Sequence, residues 1–181
     1  MNDSINNVYA YRNLSYIEKM ARHEYVSSLY VYDLKEGRSD LFFKNLASCE
    51  CVIAEGRKAS IYSGMGQDLD IRSKNWFETP AGSATEYVNK YMRGTQIPLL
   101  KLSEMYLIAA EASGDIRYLE TLRANRGYAT DPLPAGANLQ DEITKEYQKE
   151  FIAEGQLFYY YKRRNMAILP ITSTSMNRAT Y

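Results

Sequence analysis

Apolar residues recur along the chain with more than one period, and the changes of period mark out its elements. From Leu14 to Leu34, Ile17, Met20, Ala21, Tyr25, Leu29 and Tyr32 keep a helical spacing, with Asn13 or Ser15 placed to cap the start and Gly37 to stop the run. From Ser48 the texture becomes β-favouring. Cys51–Ala54 and Ala59–Ser63 flank the polar turn Glu55-Gly56-Arg57-Lys58, which signals a hairpin closed off by Gly64-Met65-Gly66. The segment from Gln67 to Tyr91 keeps no sustained period and predicts a long loop that carries Trp76, Phe77, Tyr87 and Tyr91.

The strongest helical pattern runs from Ile97 to Glu111. Pro98 suits a first turn, where a missing N–H costs nothing, and no further Pro or Gly intervenes before Gly114. Leu99, Leu102, Tyr106 and Ala109 share one face, while Leu100, Leu107, Ile108 and Ala110 spread apolar character round the cylinder, predicting a helix with neighbours on several sides. Ser113-Gly114-Asp115 then makes a short turn with Asp115 as N-cap, and Ile116, Leu119 and Leu122 form a second stripe ending at Gly127. Two helices joined so closely pack as an antiparallel hairpin. After an irregular stretch over 125–137, with Pro132, Pro134 and Gly136, Leu139 opens the longest helix, its residues Leu139, Ile143, Tyr147 and Phe151 at i+4 spacing and its run continuing through Phe158. Gly155 inside it costs about 1 kcal/mol relative to Ala, a cost explained if the Ala-rich side of the 97–111 helix packs close by. Beyond Arg164, Leu169-Pro170-Ile171 reads as extended chain. The expected organisation is a single, mainly α domain of antiparallel helix hairpins with a small β-hairpin and long loops: 1–47 helical, 48–66 hairpin, 67–96 loop, 97–171 helices and 172–181 tail.

Charge removes two classes of partner. The 22 basic and 22 acidic side chains cancel, so the chain lacks the electrostatic footprint of a nucleic-acid or anionic-membrane binder. No run of about 18 apolar residues spans a bilayer, and Met1-Asn2-Asp3-Ser4 does not start like a signal peptide. Leu46-Ala47-Ser48-Cys49 has the short form of a lipobox, but Arg38, Asp40 and Lys44 interrupt the apolar segment that lipidation needs. Cys49 and Cys51 read as ordinary thiols, too close for an easy disulfide and too few for zinc. Tyrosine, at 17 residues, is the dominant aromatic and tolerates one wet end, which places rings at edges and clefts.

Candidate chemistry is sparse. The one histidine, His23, is predicted on a solvent-facing side and lacks the partners for acid–base or metal work. Glu142, Glu146, Glu150 and Glu154 form an i+4 ladder of the residue type that glycoside hydrolysis uses, yet Lys145 and Lys149 lie where they can neutralise it, so it reads as a solvated face with structural ion pairs. No phosphate loop, nucleophile elbow or Cys/His ligand set occurs, and the reading is a non-enzyme without metal or cofactor. Trp76-Phe77 is the aromatic pair that either holds a sugar ring or anchors its loop onto the helices.

The order IPLLKLSEMYLIAAEA, LETLRANRG and EYQKEFIAEGQLFYYYKR resembles the C-terminal signature of the SusD/RagB family of outer-membrane nutrient-binding lipoproteins. The match is one of order and spacing over roughly 83–171. Lys101 stands where the family has Arg, Ala124-Asn125 shifts its Leu-Asn step, Leu157 replaces its Arg after Glu-Gly-x, and Tyr160 replaces an Asp. The resemblance implies the C-terminal part of a longer protein or a short relative, with a SusD-like helical fold. It further implies an oligosaccharide ligand, a SusC-like TonB-dependent transporter as partner, and a place on the cell outer membrane through a lipid anchor that this chain does not carry. Glu111, Arg123 or Arg126, Glu150 and Glu154 are the charges shared with the signature, and they are expected to form one inter-helix network that performs no chemistry. A tetratricopeptide-like interaction scaffold is the alternative, although no repeat of about 34 residues is present.

Overall fold

A computed structural model describes residues 24–30, 53, 56–62, 70–79, 81–82, 84, 86–88, 90, 96–128 and 130–166. Cys49, Cys51, His23, Leu169, Pro170 and Ile171 lie outside the described residues, as do 14–23 and 31–34 of the first expected helix.

Part of that expected helix is a strand. β1 (Tyr25–Tyr30) pairs antiparallel with a strand over Gln96–Lys101, Tyr25 opposite Lys101 and Tyr30 opposite Gln96. Its Tyr and Val content suits a pleated surface, and a pairing partner some seventy residues away in sequence overrides the local helical period. The partner strand also corrects the start of the strongest helix. Proline biases the residue before it toward extended backbone, so Ile97-Pro98 continues a strand; each strand of a two-stranded ribbon is an edge, where a missing N–H is tolerated.

Short elements occupy the segment expected as hairpin and loop. α1 (Arg57–Ile61) begins after Gly56, whose φ of 74° makes the turn, and replaces the second strand of the expected hairpin. Ile53 instead donates its N–H to the Glu86 carbonyl at 3.1 Å. α2 (Ile71–Asn75) is capped by the Asp70 side chain, and β2 (Phe77–Glu78) pairs with β3 (Tyr87–Val88). The strand over Gln96–Lys101 is β4 and runs straight into α3 (Leu102–Ser113), whose first N–H donates to the Glu24 carbonyl at 2.7 Å.

From here the helical pattern holds. Gly114 in the left-handed region ends α3, and Asp115 accepts from the Arg117 N–H to start α4 (Ile116–Arg123), giving the expected helix hairpin. A wide turn over Ala124–Tyr128 follows, with Gly127 at φ 107°. Asn138 caps α5 (Leu139–Glu150) by accepting from two backbone N–H groups. The long helix expected to run on from there is broken: Ala153 and Gly155 take positive φ, and α6 (Gln156–Arg163) starts anew. A Cβ added at Gly155 would meet nothing within 4 Å, so the glycine serves its φ of 74° and not close packing.

The described residues are thus mainly helical, with two two-stranded sheets. Leu107, Ala110, Leu119, Leu122, Ile143, Tyr147, Phe151, Tyr160 and Tyr161 form one apolar core, shared by α3, α4, α5 and α6. Tyr62, Trp76, Phe77 and Val88 form a second. α3 buries Ser103, Leu107 and Ala110, not the expected Leu99, Leu102, Tyr106 and Ala109 face, and leaves Leu102, Met105 and Ile108 exposed. The helix starts later than its apolar run, so Leu99 belongs to the ribbon, and among the described residues no helix covers the Leu102, Met105 and Ile108 side of α3.

Candidate functional site

A buried cluster of charges joins the two cores. Arg72, on α2, is fully buried. Its Nε and Nη2 donate to Asp70 Oδ1 and Oδ2 at 3.0 and 2.8 Å, Nη2 also to Glu146 Oε2 at 2.8 Å, and Nη1 to Glu150 Oε2 at 3.1 Å. Arg126, in the turn after α4, makes a second double fork: Nε and Nη2 reach Glu150 at 3.1 Å each, and Nη1 and Nη2 reach Glu24 at 2.7 and 2.6 Å. Arg123 contacts Glu146 at 3.4 Å, Lys149 contacts Glu146 at 3.1 Å, and the Tyr128 hydroxyl donates to Asp70 at 3.0 Å. At the other end Lys101 donates to Glu154 at 2.8 Å and to the Glu150 carbonyl at 3.3 Å, and Lys90 donates to the same two acceptors.

Among the described residues, six cations (Arg72, Lys90, Lys101, Arg123, Arg126, Lys149) face five carboxylates (Glu24, Asp70, Glu146, Glu150, Glu154). Burial, reinforced by repulsion from Lys101 beside it, brings the Lys90 ammonium down to about 7. Burial alone would raise the carboxyls. For Glu146, attraction to Arg72 and Lys149 more than reverses this and holds it at about 2; for Glu150, the charges of Arg126, Lys101 and Arg72 hold it well below the usual range. Carboxylates so held stay ionised at neutral pH and cannot give up a proton they do not carry. The arrangement fixes how α2, β4, the Arg126 turn and α5 dock.

Arg123, Arg126, Glu150 and Glu154 therefore meet in one place, while Glu111 does not join them. Glu111 makes a two-pronged pair with Arg163 at 2.9 and 2.7 Å and approaches Arg164 at 3.4 Å, tying α3 to α6 at the surface. α3 carries Glu111 at its far end, a helix length from Lys101, so the two ends of this segment serve different contacts. The ladder reading needs correction as well. Glu146 and Glu150 are fully buried, and of the four only Glu142, paired with Lys145 at 2.6 Å, fits a solvated ion pair.

Asp70, Arg72, Glu146, Lys149, Lys90, Lys101 and Glu24 are the members that the expected network lacked. Glu146 and Glu150 each sit three residues after a core residue, Ile143 and Tyr147, which places them beside the buried stripe. Asp70-Ile71-Arg72 recurs as Asp115-Ile116-Arg117, and in both the Asp accepts from the Arg backbone N–H and Nε while capping a helix. One copy is buried and the other exposed, so the tripeptide signals a cap and says nothing of the cluster.

Trp76 and Phe77 are anchors. They are 1% and 8% exposed, Lys90 Nζ lies 4.0 Å from the indole centre, Lys58 Nζ lies 4.8 Å from the Phe77 ring, and Tyr62 meets Phe77 edge-on at 5.7 Å. Both rings are packed into the second core, which is what the anchoring alternative expects of them.

An open groove of about 630 Å³ lies elsewhere, between α3, α5 and α6. Its lining includes the stacked rings of Tyr147 and Tyr160, 4.1 Å apart, together with Glu104, the Glu111–Arg163 pair and Tyr159, which is 71% exposed. Among the described residues no group of His, Cys, Asp or Glu side chains could hold a metal ion, and no helix is long and apolar enough to cross a membrane. Compared with known proteins, the chain matches no family model, no curated protein and no solved structure.

Proposed function

We propose that the protein is a non-enzymatic, SusD-like nutrient-binding component of an outer-membrane uptake system. On this reading it holds an oligosaccharide at the cell surface and passes it to a SusC-like TonB-dependent transporter. The observation that carries the reading is the ordered three-part signature over Ile97–Ala112, Leu119–Gly127 and Glu146–Arg163. What supports it further is that four charged positions of that signature, Arg123, Arg126, Glu150 and Glu154, fall in one buried cluster and are used up in holding helices together. A helical framework braced in this way leaves ligand contact to its open surfaces, and the SusD-like arrangement of the helices belongs to the same proposal. Affinity capture of the intact protein from native outer membranes tests the partner: a TonB-dependent barrel should come with it, and repeated capture without one contradicts the assignment. Measurable turnover of any glycan by the pure protein would contradict the non-enzymatic half.

A further inference from the structure

The groove between α3, α5 and α6 has three features that packing alone does not require. First, Tyr147 is 5% exposed and its ring belongs to the core, yet the residue also lines the groove, where it and Tyr160 are the most deeply buried of the tyrosines that could meet a ligand. Second, Glu104 is only partly exposed and has neither an ion pair nor a hydrogen bond among the described residues, and burial pushes its carboxyl up. Third, the Tyr159 ring stands almost free at the rim.

The chemistry of these groups narrows the ligand. Glu104 offers acceptors only, and Arg163, the one cation among the described lining residues, is already clamped by Glu111 through both of its Nη atoms. Among its described residues the groove therefore has acceptors to spare and no free cation, which favours a ligand that brings several O–H donors and disfavours phosphate, sulfate or uronate groups. Tyr159 and Ile108 add apolar surface, so the ligand must also present a C–H face. Pyranose rings have hydroxyls round an edge and C–H bonds on a face. The volume also falls within the range of about 300–1,000 Å³ typical of small-molecule sites.

We propose that this groove is a subsite for a neutral sugar, which stacks on Tyr159 and donates hydroxyl protons to Glu104 while the Tyr147 hydroxyl completes the floor. The assignment rests on the nutrient-binding reading above and names the place where the ligand would sit. It needs no contribution from Trp76 or Phe77.

The test is calorimetric titration of the full chain with neutral malto-, cello-, xylo- and manno-oligosaccharides and with oligogalacturonate. The best neutral binder is then repeated on Tyr159→Ala, Glu104→Gln and Tyr147→Phe, with Tyr118→Ala, an exposed tyrosine outside the groove, as control. Each groove variant should weaken binding about tenfold, the scale of one lost aromatic or hydrogen-bond contact. Tyr118→Ala should bind as wild type does, and the melting temperatures of Tyr159→Ala and Glu104→Gln should stay unchanged. If a neutral glycan binds but the three groove variants bind it equally well, the groove is overturned and the nutrient-binding reading survives. If no neutral glycan binds, both fall. Preferential binding of oligogalacturonate would overturn the charge argument and with it the proposed subsite.

Discussion

Glu150 is the member of the charge cluster whose removal should be felt most. Its carboxylate, fully buried, takes one hydrogen bond from Arg72 and two from Arg126, and Lys101 lies 3.8 Å away. Glu150→Ala deletes all three bonds and leaves these cations with less counter-charge in a place water does not reach. Removing one partner of a buried pair costs about 3–5 kcal/mol, chiefly through the charge left behind. For a chain of this size each kcal/mol lowers the melting temperature by about 2–4 °C, so the expected fall is roughly 6–20 °C, read by circular dichroism or scanning calorimetry. Glu150→Gln, which keeps the shape and loses the charge, should fall between the variant and wild type. Glu111→Ala is the contrast, because its partners Arg163 and Arg164 are well exposed and such pairs contribute under about 1 kcal/mol. If Glu150→Ala melted within about 2 °C of wild type, or if Glu111→Ala were the more damaging of the two, the idea that the buried cluster braces the helices would be refuted.

Two further outcomes follow from the same geometry. Trp76→Ala should destabilise the protein by about 3–5 kcal/mol through the cavity it opens, and oligosaccharide affinity measured well below the melting temperature should be unchanged; lost affinity at full stability would restore the sugar-platform reading. Acid should act through the depressed carboxyls: Glu146 sits near 2 in the folded chain against about 4.5 when unfolded, so its contribution is complete above about pH 4.5 and drains away as pH falls toward 2. Melting temperatures followed from pH 6 to pH 2 should drop across that window and drop less in Glu146→Gln, and parallel curves would show that Glu146 is not held this way.

How much of this was legible in the sequence depended on the range of the interactions involved. The Gly114–Asp115 turn, the helix hairpin around it and the Ile143, Tyr147 and Phe151 stripe come from local spacing and local capping, and the structure has them. Ile97–Lys101 reads as helix until its pairing with Tyr25–Tyr30 is known, and nothing near Pro98 announces a partner so distant in the chain. Ala153 and Gly155 break a helix that the i+4 pattern carries straight through, because apolar spacing is blind to a change of backbone direction once the stripe continues on the next helix. The cluster was visible only from its α4–α5 side. Arg72 lies in a segment without periodicity, and its burial depends on α2 docking against α5, a tertiary fact that no spacing rule contains. The groove was hidden for the same reason, since Glu104, Tyr147 and Tyr159 come from three helices whose docking brings them together.

The claim that this chain binds a nutrient glycan without altering it is tested most directly by titrating the intact protein with a panel of oligosaccharides in a calorimeter and then analysing the recovered sugar. The account predicts saturable binding of at least one neutral oligosaccharide, recovered at its original length. A panel with no binder, or a binder recovered as shorter products, would contradict it.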